Sequence, residues 1–255
     1  MTKADDQLAS QLASEAGHRL LELRARGGEP AALRSAGDLL SHEFLMGELA
    51  AARPTDAVLS EEGVDDPARL SAERVWIIDP LDGTREFGEA GRTDWAVHVA
   101  LWQDGDLTAG AVALPAQDQV LSTARPPRRP EGNSAPIRLL VSRSRPPAFM
   151  ASLAGQLGAE LVPMGSAGAK AAAVIAGHAD AYVHSGGQYE WDSAAPVAVA
   201  RAAGLHASRI DGSQLRYNQV SPSVPDILIC PIELAERILS AIDRSRGAFQ
   251  AAAES

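Results

Sequence analysis

Acidic side chains sit at the ends of apolar runs in this chain, and their spacing suggests chemistry with a cation. Val75-Trp76-Ile77-Ile78 leads into Asp79-Pro80-Leu81-Asp82-Gly83-Thr84, which puts two carboxylates, the Leu81 carbonyl and a hydroxyl within six residues. Pro80 biases Asp79 away from helical backbone, so the segment predicts a strand persisting to Asp79, a turn at Leu81-Asp82 and a helix starting near Thr84. Hard oxygen ligands in one turn suit Mg²⁺, while the N–H groups of Gly83 and Thr84 at a helix start suit a phosphate. Plain turn and N-cap chemistry accounts for the same residues taken alone. Ala57-Val58-Leu59 runs similarly into Ser60-Glu61-Glu62, a pair that solvated strand ends also carry. Glu190-Trp191-Asp192-Ser193-Ala194-Ala195-Pro196 places a further aspartate where a helix begins, with an N-cap role as the local alternative.

Three other features border on chemistry. Gly165-Ser166-Ala167-Gly168-Ala169-Lys170 is a glycine-rich approach to a helix, but alanine on both sides of Lys170 rules out a P-loop. Ser142-Arg143-Ser144-Arg145 offers a guanidinium for a phosphate, or simply a solvated loop. The six histidines show no zinc-protease spacing, and no Gly-x-Ser-x-Gly elbow accompanies them. His98, inside an apolar run, reads as a hydrogen-bonded structural histidine.

The elements that must position these groups follow from periodicity. Leu8, Leu12, Ala16, Leu20 and Leu23 mark an amphipathic helix from Ala4 to about Arg26, closed by Gly27-Gly28. A second helix spans about Ala36 to Ala51 and stops before Pro54. Trp95–Trp102 and Leu107–Leu114 form strands around an Asp104-Gly105 hairpin turn. The segment from Arg125 to Pro136 is too rich in proline for a core element and suggests a boundary between an N-terminal α+β part, 1–130, and a C-terminal α/β part, 131–255. Beyond it, strands at 137–141 and 181–184 alternate with helices near 148–157 and 170–176, as in an α/β layer.

With 23 basic and 33 acidic residues the net charge is −10, which excludes electrostatic binding of a nucleic-acid polymer. One cysteine, Cys230, excludes an internal disulfide and a thiolate zinc cage. No signal peptide or membrane span is evident, so the expected setting is the cytoplasm.

The string Asp79-Pro-Leu-Asp-Gly-Thr84, taken with Trp191-Asp-Ser-Ala-Ala195, Glu61-Glu62 and Ser35-Ala-Gly-Asp38, resembles the signature of the Mg²⁺-dependent, lithium-sensitive phosphatases of the inositol monophosphatase and fructose-1,6-bisphosphatase superfamily. Ser35 stands where the family's pattern has threonine. The resemblance implies a layered αβαβα sandwich. It also implies two or three Mg²⁺ ions held by Glu61, Asp79, the Leu81 carbonyl, Asp82 and Asp192, with Thr84, supported by Asp38, acting on the attacking water. Leu81 and the Arg85-Glu86-Phe87 continuation resemble the bisphosphate nucleotidase branch, which acts on 3′-phosphoadenosine-5′-phosphate and 3′-phosphoadenylyl sulfate in sulfur assimilation. That branch implies substrate contacts from Asp82, Gly83, Thr84, Arg145, Ser166, Lys170 and Asp192, and a possible homodimer. An inositol or sugar phosphatase would use the same metal chemistry, and a non-hydrolysing nucleotide sensor is the rival from outside enzymology.

Overall fold

Every residue from Val75 to Asp82 is buried, and successive side chains serve different cores: Val75 and Ile77 one, Trp76 and Ile78 another. A strand covered on both faces reads as an unbroken apolar run, not an alternation. The structure, a computed structural model, describes residues 3–129 and 136–253. Its first half runs α1 (Lys3–Ala25), α2 (Pro30–Ala52), β1 (Ala57–Ser60), β2 (Arg74–Asp82), α3 (Thr84–Gly88), β3 (Ala96–Gln103), β4 (Asp106–Leu114) and β5 (Gln119–Ser122). The second half runs β6 (Arg138–Ser142), α4 (Met150–Leu157), β7 (Glu160–Met164), α5 (Ala167–Ile175), β8 (Ala181–Tyr189), α6 (Glu190–Ala202), β9 (Leu205–Ser208), β10 (Ser223–Pro231) and α7 (Ile232–Ala253).

Two five-stranded sheets result, ordered β1-β2-β3-β4-β5 and β7-β6-β8-β10-β9. Helices α1 and α2 cover the outer face of the first sheet, α5 and α6 lie between the sheets, and α4 and α7 cover the far face of the second. Three apolar cores correspond to these spaces. This is the layered αβαβα sandwich that the resemblance implied.

Several elements depart from the sequence expectation. Helix α2 starts six residues early, at Pro30, because proline at the first helical position is preorganised for it. Asp38 therefore rides mid-helix. Strand β2 continues past Pro80 to Asp82, its pairing with β3 shifting register between Asp79 and Asp82. Helix α5 starts at Ala167, so Lys170 belongs to its first turn and not to the loop before it. The hairpin forms as expected, with left-handed φ at Asp104 (53°) and Gly105 (92°). Strands β5, β7, β9 and β10 and helix α7 were not anticipated. The boundary expected at 130/131 lies outside the described residues. Among those residues, no helix is long and apolar enough to cross a membrane.

Candidate active site

Gly83 follows β2 with φ +82°, a left-handed turn that passes straight into α3 and that a side chain would strain. The turn folds the Thr84 hydroxyl back onto the Leu81 carbonyl, to which it donates at 2.9 Å, and brings it 3.3 Å from Asp38 Oδ1 on α2. Burial, and then the charge of Glu62, pushes the Asp38 carboxyl up to about 6 despite its bond to Thr84.

Beside this pair, Asp79, Asp82 and Asp192 bring carboxylate oxygens within 4.8 Å of one another. Asp192 enters from the third position of α6, where its Oδ2 accepts the Tyr189 N–H at 2.6 Å. It therefore braces the helix start from inside the first turn, which corrects the N-cap alternative. Asp79 and Asp82 differ in support. Asp79 Oδ1 accepts the Leu81 N–H at 3.0 Å, while its buried Oδ2 has no hydrogen-bond partner among the described residues. Asp82 accepts the Ser166 hydroxyl at 2.5 Å and the N–H groups of Ala167 (3.1 Å) and Gly168 (2.6 Å), with His98 Nε2 3.3 Å away. The N-terminus of α5 thus clamps a carboxylate of its own chain. Ser166, expected to touch substrate, lines the cavity bordered by Asp82 and Asp192 and has its hydroxyl engaged with Asp82 and the Ala169 N–H.

The electrostatics follow this difference. Burial, with the charges of Glu61, Asp82 and Asp192, pushes the Asp79 carboxyl well above the usual range. Burial also raises Asp82, but the bond and charge of His98, with Ser166 and Lys170, outweigh it and hold Asp82 at about 2. Burial, then Asp82, lifts Asp192 to about 6, while burial, then Asp192, lifts Glu61 to about 7. Clustered carboxyls with raised affinity for protons, one bearing an unpartnered buried oxygen, form a hard-oxygen donor set suited to a divalent cation. Glu61 lies at the rim, outside the tight trio of aspartates.

A folded-state pKa raised above its unfolded value means that the native protein holds extra protons between the two values, so its stability falls as pH rises through that window. The raised values of Asp192, Asp38 and Glu61 set the window at about pH 4 to 7. In a chelator, the melting temperature is therefore expected to rise as pH falls from 8 to 5, and millimolar Mg²⁺ should flatten that slope by stabilising the high-pH state most. Scanning fluorimetry across this range checks it. A melting temperature that drops over the same interval in chelator would contradict the electrostatic account.

The sequence reading missed how His98 acts. Strand β3 pairs antiparallel with β2, setting His98 opposite Asp79, and its Nδ1 donates to the Trp191 carbonyl at 3.0 Å while Nε2 faces Asp82. One imidazole thereby joins the two acidic motifs. Gly168 allows this approach, since a Cβ there would stand 2.1 Å from His98 Nε2.

Asp82 and Asp192 line a polar cavity of about 230 Å³. Four cations line it, and two are already engaged. Arg143 pairs with Glu86 (2.6 Å) and Glu89 (2.9 Å). Lys170, expected to hold the nucleotide, is buried and donates to the carbonyls of Ser166 (2.5 Å), Gly165 (3.1 Å) and Met164 (3.4 Å). Arg85 and Arg145 are exposed, with no carboxylate partner among the described residues. His184 and Gln188 of β8 complete the far wall; the sequence places His184 on a strand but without a role in the site, and Gln188 gives no signal, although Tyr182 and His184 share one face of the strand.

Comparison with known proteins follows this geometry closely. Residues 2–246 match the inositol monophosphatase family. The chain is 52% identical over 252 residues to a 3′-phosphoadenosine 5′-phosphate phosphatase of Mycobacterium leprae, covering 93% of each chain. It is 32% identical over 196 residues to the 3′(2′),5′-bisphosphate nucleotidase CysQ of Escherichia coli, covering 72% of this chain and 78% of that one. The crystal structure of CysQ from Bacteroides thetaiotaomicron, described as a bacterial member of the inositol monophosphatase family, superposes with a TM-score of 0.79 at 25% identity, over 90% of this chain and 97% of the other.

Proposed function

We propose, from the premise that this chain belongs to the inositol monophosphatase family, that it is a phosphatase which removes the 3′-phosphate of 3′-phosphoadenosine-5′-phosphate to give AMP and phosphate. The observation that carries the reading is the clustering of Asp79, Asp82 and Asp192 beside the Thr84–Asp38 pair, at a cavity lined by Asp82, Thr84, Asp192 and Arg145. The residues fit Mg²⁺, and Glu61, Asp79, the Leu81 carbonyl, Asp82 and Asp192 would hold two or three ions. When bound, such ions neutralise phosphoryl charge and stabilise the attacking and leaving oxygens of an in-line displacement.

The remaining steps belong to the chain itself. Thr84 orients the attacking water, and ionised Asp38 draws its proton through the Thr84 hydroxyl. The water oxygen bonds to phosphorus, the bond from phosphorus to the 3′ oxygen breaks with its electron pair on that oxygen, and a solvent proton completes AMP. Asp82 is locked by its donors, so it stays an anion throughout. We place the reaction in the cytoplasm, in a two-part chain able to pair as a homodimer. Phosphate release from 3′-phosphoadenosine-5′-phosphate, inositol 1-phosphate and fructose 1,6-bisphosphate, with and without Mg²⁺, tests the reading. Preference for either of the last two would overturn the substrate assignment, and nucleotide binding without phosphate release would overturn the reaction.

The cations divide the remaining work. Arg145→Ala is expected to lower kcat/KM on 3′-phosphoadenosine-5′-phosphate about tenfold to a hundredfold, the equivalent of one charge-assisted contact, with little effect on inositol 1-phosphate. Lys170→Ala should instead harm both substrates alike, because its ammonium holds the carbonyls of the Met164–Ser166 turn that clamps Asp82. Equal losses for Arg145→Ala on the two substrates would remove Arg145 from recognition.

A further inference from the structure

Arg69 is a buried guanidinium, 1% exposed, and it lies outside the cavity. Its guanidinium donates to both carboxylate oxygens of Asp65 at 2.6 and 3.0 Å, to Asn218 Oδ1 at 2.8 Å and to the Gln219 carbonyl at 2.9 Å. Asn218 returns a bond from Nδ2 to the Arg69 carbonyl at 3.1 Å. On the other side, Glu190 accepts the N–H groups of Asn218 (2.6 Å) and Gln219 (2.8 Å), and its own N–H donates to the Pro222 carbonyl at 2.7 Å. Asn218 holds φ +57°, a left-handed conformation that asparagine tolerates better than most residues.

The two ends of this network are informative. Asp65 lies four residues beyond Glu61, and Glu190 lies two residues before Asp192. Glu61 N–H donates to the Ile78 carbonyl of β2 at 3.4 Å and Gly63 N–H to the Ser60 carbonyl at 3.2 Å, but among the described residues no such backbone bond holds Val64 or Asp65. The Asp65–Arg69 pair is therefore the tether that ends this loop. The 218–219 turn then links it to the first turn of α6. A rigid fork is needed, because one side chain bonds a carboxylate, an amide and a backbone carbonyl in three directions, which a lysine cannot reproduce.

We propose that Arg69 is a positioning residue that sets the rim carboxylate Glu61 against Asp192 across the metal site, acting through Asp65, Asn218 and Glu190. The proposal rests on the metal-dependent reading above. Partners behind metal ligands typically change metal affinity by about 10–100-fold when removed.

The test is Mg²⁺ binding to the metal-free full chain by calorimetry, together with the Mg²⁺ concentration giving half-maximal phosphate release. Arg69→Lys and Asp65→Ala are expected to weaken Mg²⁺ binding and raise that concentration about tenfold, with a much smaller loss of kcat at saturating Mg²⁺. Asp65→Glu, which keeps the carboxylate, should recover most of the affinity. Asp65 is 40% exposed, so Asp65→Ala leaves a folded protein even where Arg69→Lys does not. Ile238→Val, in the core beneath α7, serves as a control for lost stability alone. The proposal is overturned if the unaltered protein binds Mg²⁺ and Asp65→Ala binds it equally well, or if Ile238→Val weakens binding as much. Absence of Mg²⁺ binding in the unaltered protein would sink the functional reading itself, and this proposal with it.

Discussion

Asp79→Asn is expected to abolish turnover and at the same time to stabilise the metal-free protein. The carboxylate lies fully buried beside Asp82, Asp192 and Glu61, so without a cation its charge costs free energy and its proton affinity rises. An amide of nearly the same shape keeps the Oδ1 bond to the Leu81 N–H and removes the repulsion. It also removes an anionic ligand, and several kcal/mol of transition-state stabilisation go with it, a loss of at least about a hundredfold in kcat. Asp82→Asn should abolish turnover just as fully but destabilise the fold. Its carboxylate accepts from Ser166, Ala167 and Gly168 and faces His98, and an amide sets N–H groups against some of those donors. Phosphate release and melting temperature in chelator, measured for both variants, separate the two effects. Opposite signs of the thermal shift are the expected result. A shared sign would mean that the repulsive and clamped carboxylates have been assigned the wrong way round.

That contrast between two aspartates three residues apart marks the boundary of what the sequence could reveal. Asp79 and Asp82 were legible as a pair because Pro80 and Gly83 dictate the turn that presents them, all within one segment. Asp38 and Thr84 were legible as partners only through resemblance, since 46 residues separate them. The buried strands and first helices came through because their periodicity is local, while their stacking into a layered sandwich was legible only through the resemblance. The edge strands β7 and β9, five and four residues long, lacked enough sequence to show a period. Lys170 illustrates a different limit. A lysine near a glycine-rich turn suggests an anion, but the early start of α5 turns its ammonium back onto three carbonyls of the approaching chain. Ser166 was out of reach for the same reason, because nothing in its own segment shows that its hydroxyl caps α5 and clamps Asp82. His98 could be read as hydrogen-bonded but not as a link between motifs, because that depends on the register setting it opposite Asp79.

Asp38→Asn should reduce kcat by about 10²–10⁴-fold, the usual contribution of a positioned base, while KM changes little. Asp38 touches Thr84 and lies outside the acidic trio, so its loss leaves phosphate binding intact. The pH profile supplies the sharper test. Burial and the Glu62 charge raise the Asp38 carboxyl to about 6, so it is ionised and able to take the water's proton above that pH and protonated below it. The activity of the unaltered protein should therefore fall as pH drops through about 6. With Mg²⁺ saturating at every pH, so that protons do not displace it from Glu61 and Asp192, the residual rate of Asp38→Asn should lose that acid limb. Glu62→Gln removes a neighbouring negative charge, which makes ionisation of Asp38 easier and moves the limb to lower pH. Thr84→Ala should lower kcat by a similar factor, and Thr84→Ser, which restores the hydroxyl between the Leu81 carbonyl and Asp38, should recover most of it. If Asp38→Asn keeps the limb near pH 6, another group carries the proton. A Thr84→Ala defect confined to KM would leave the hydroxyl a phosphate contact and remove the pair from the proton path.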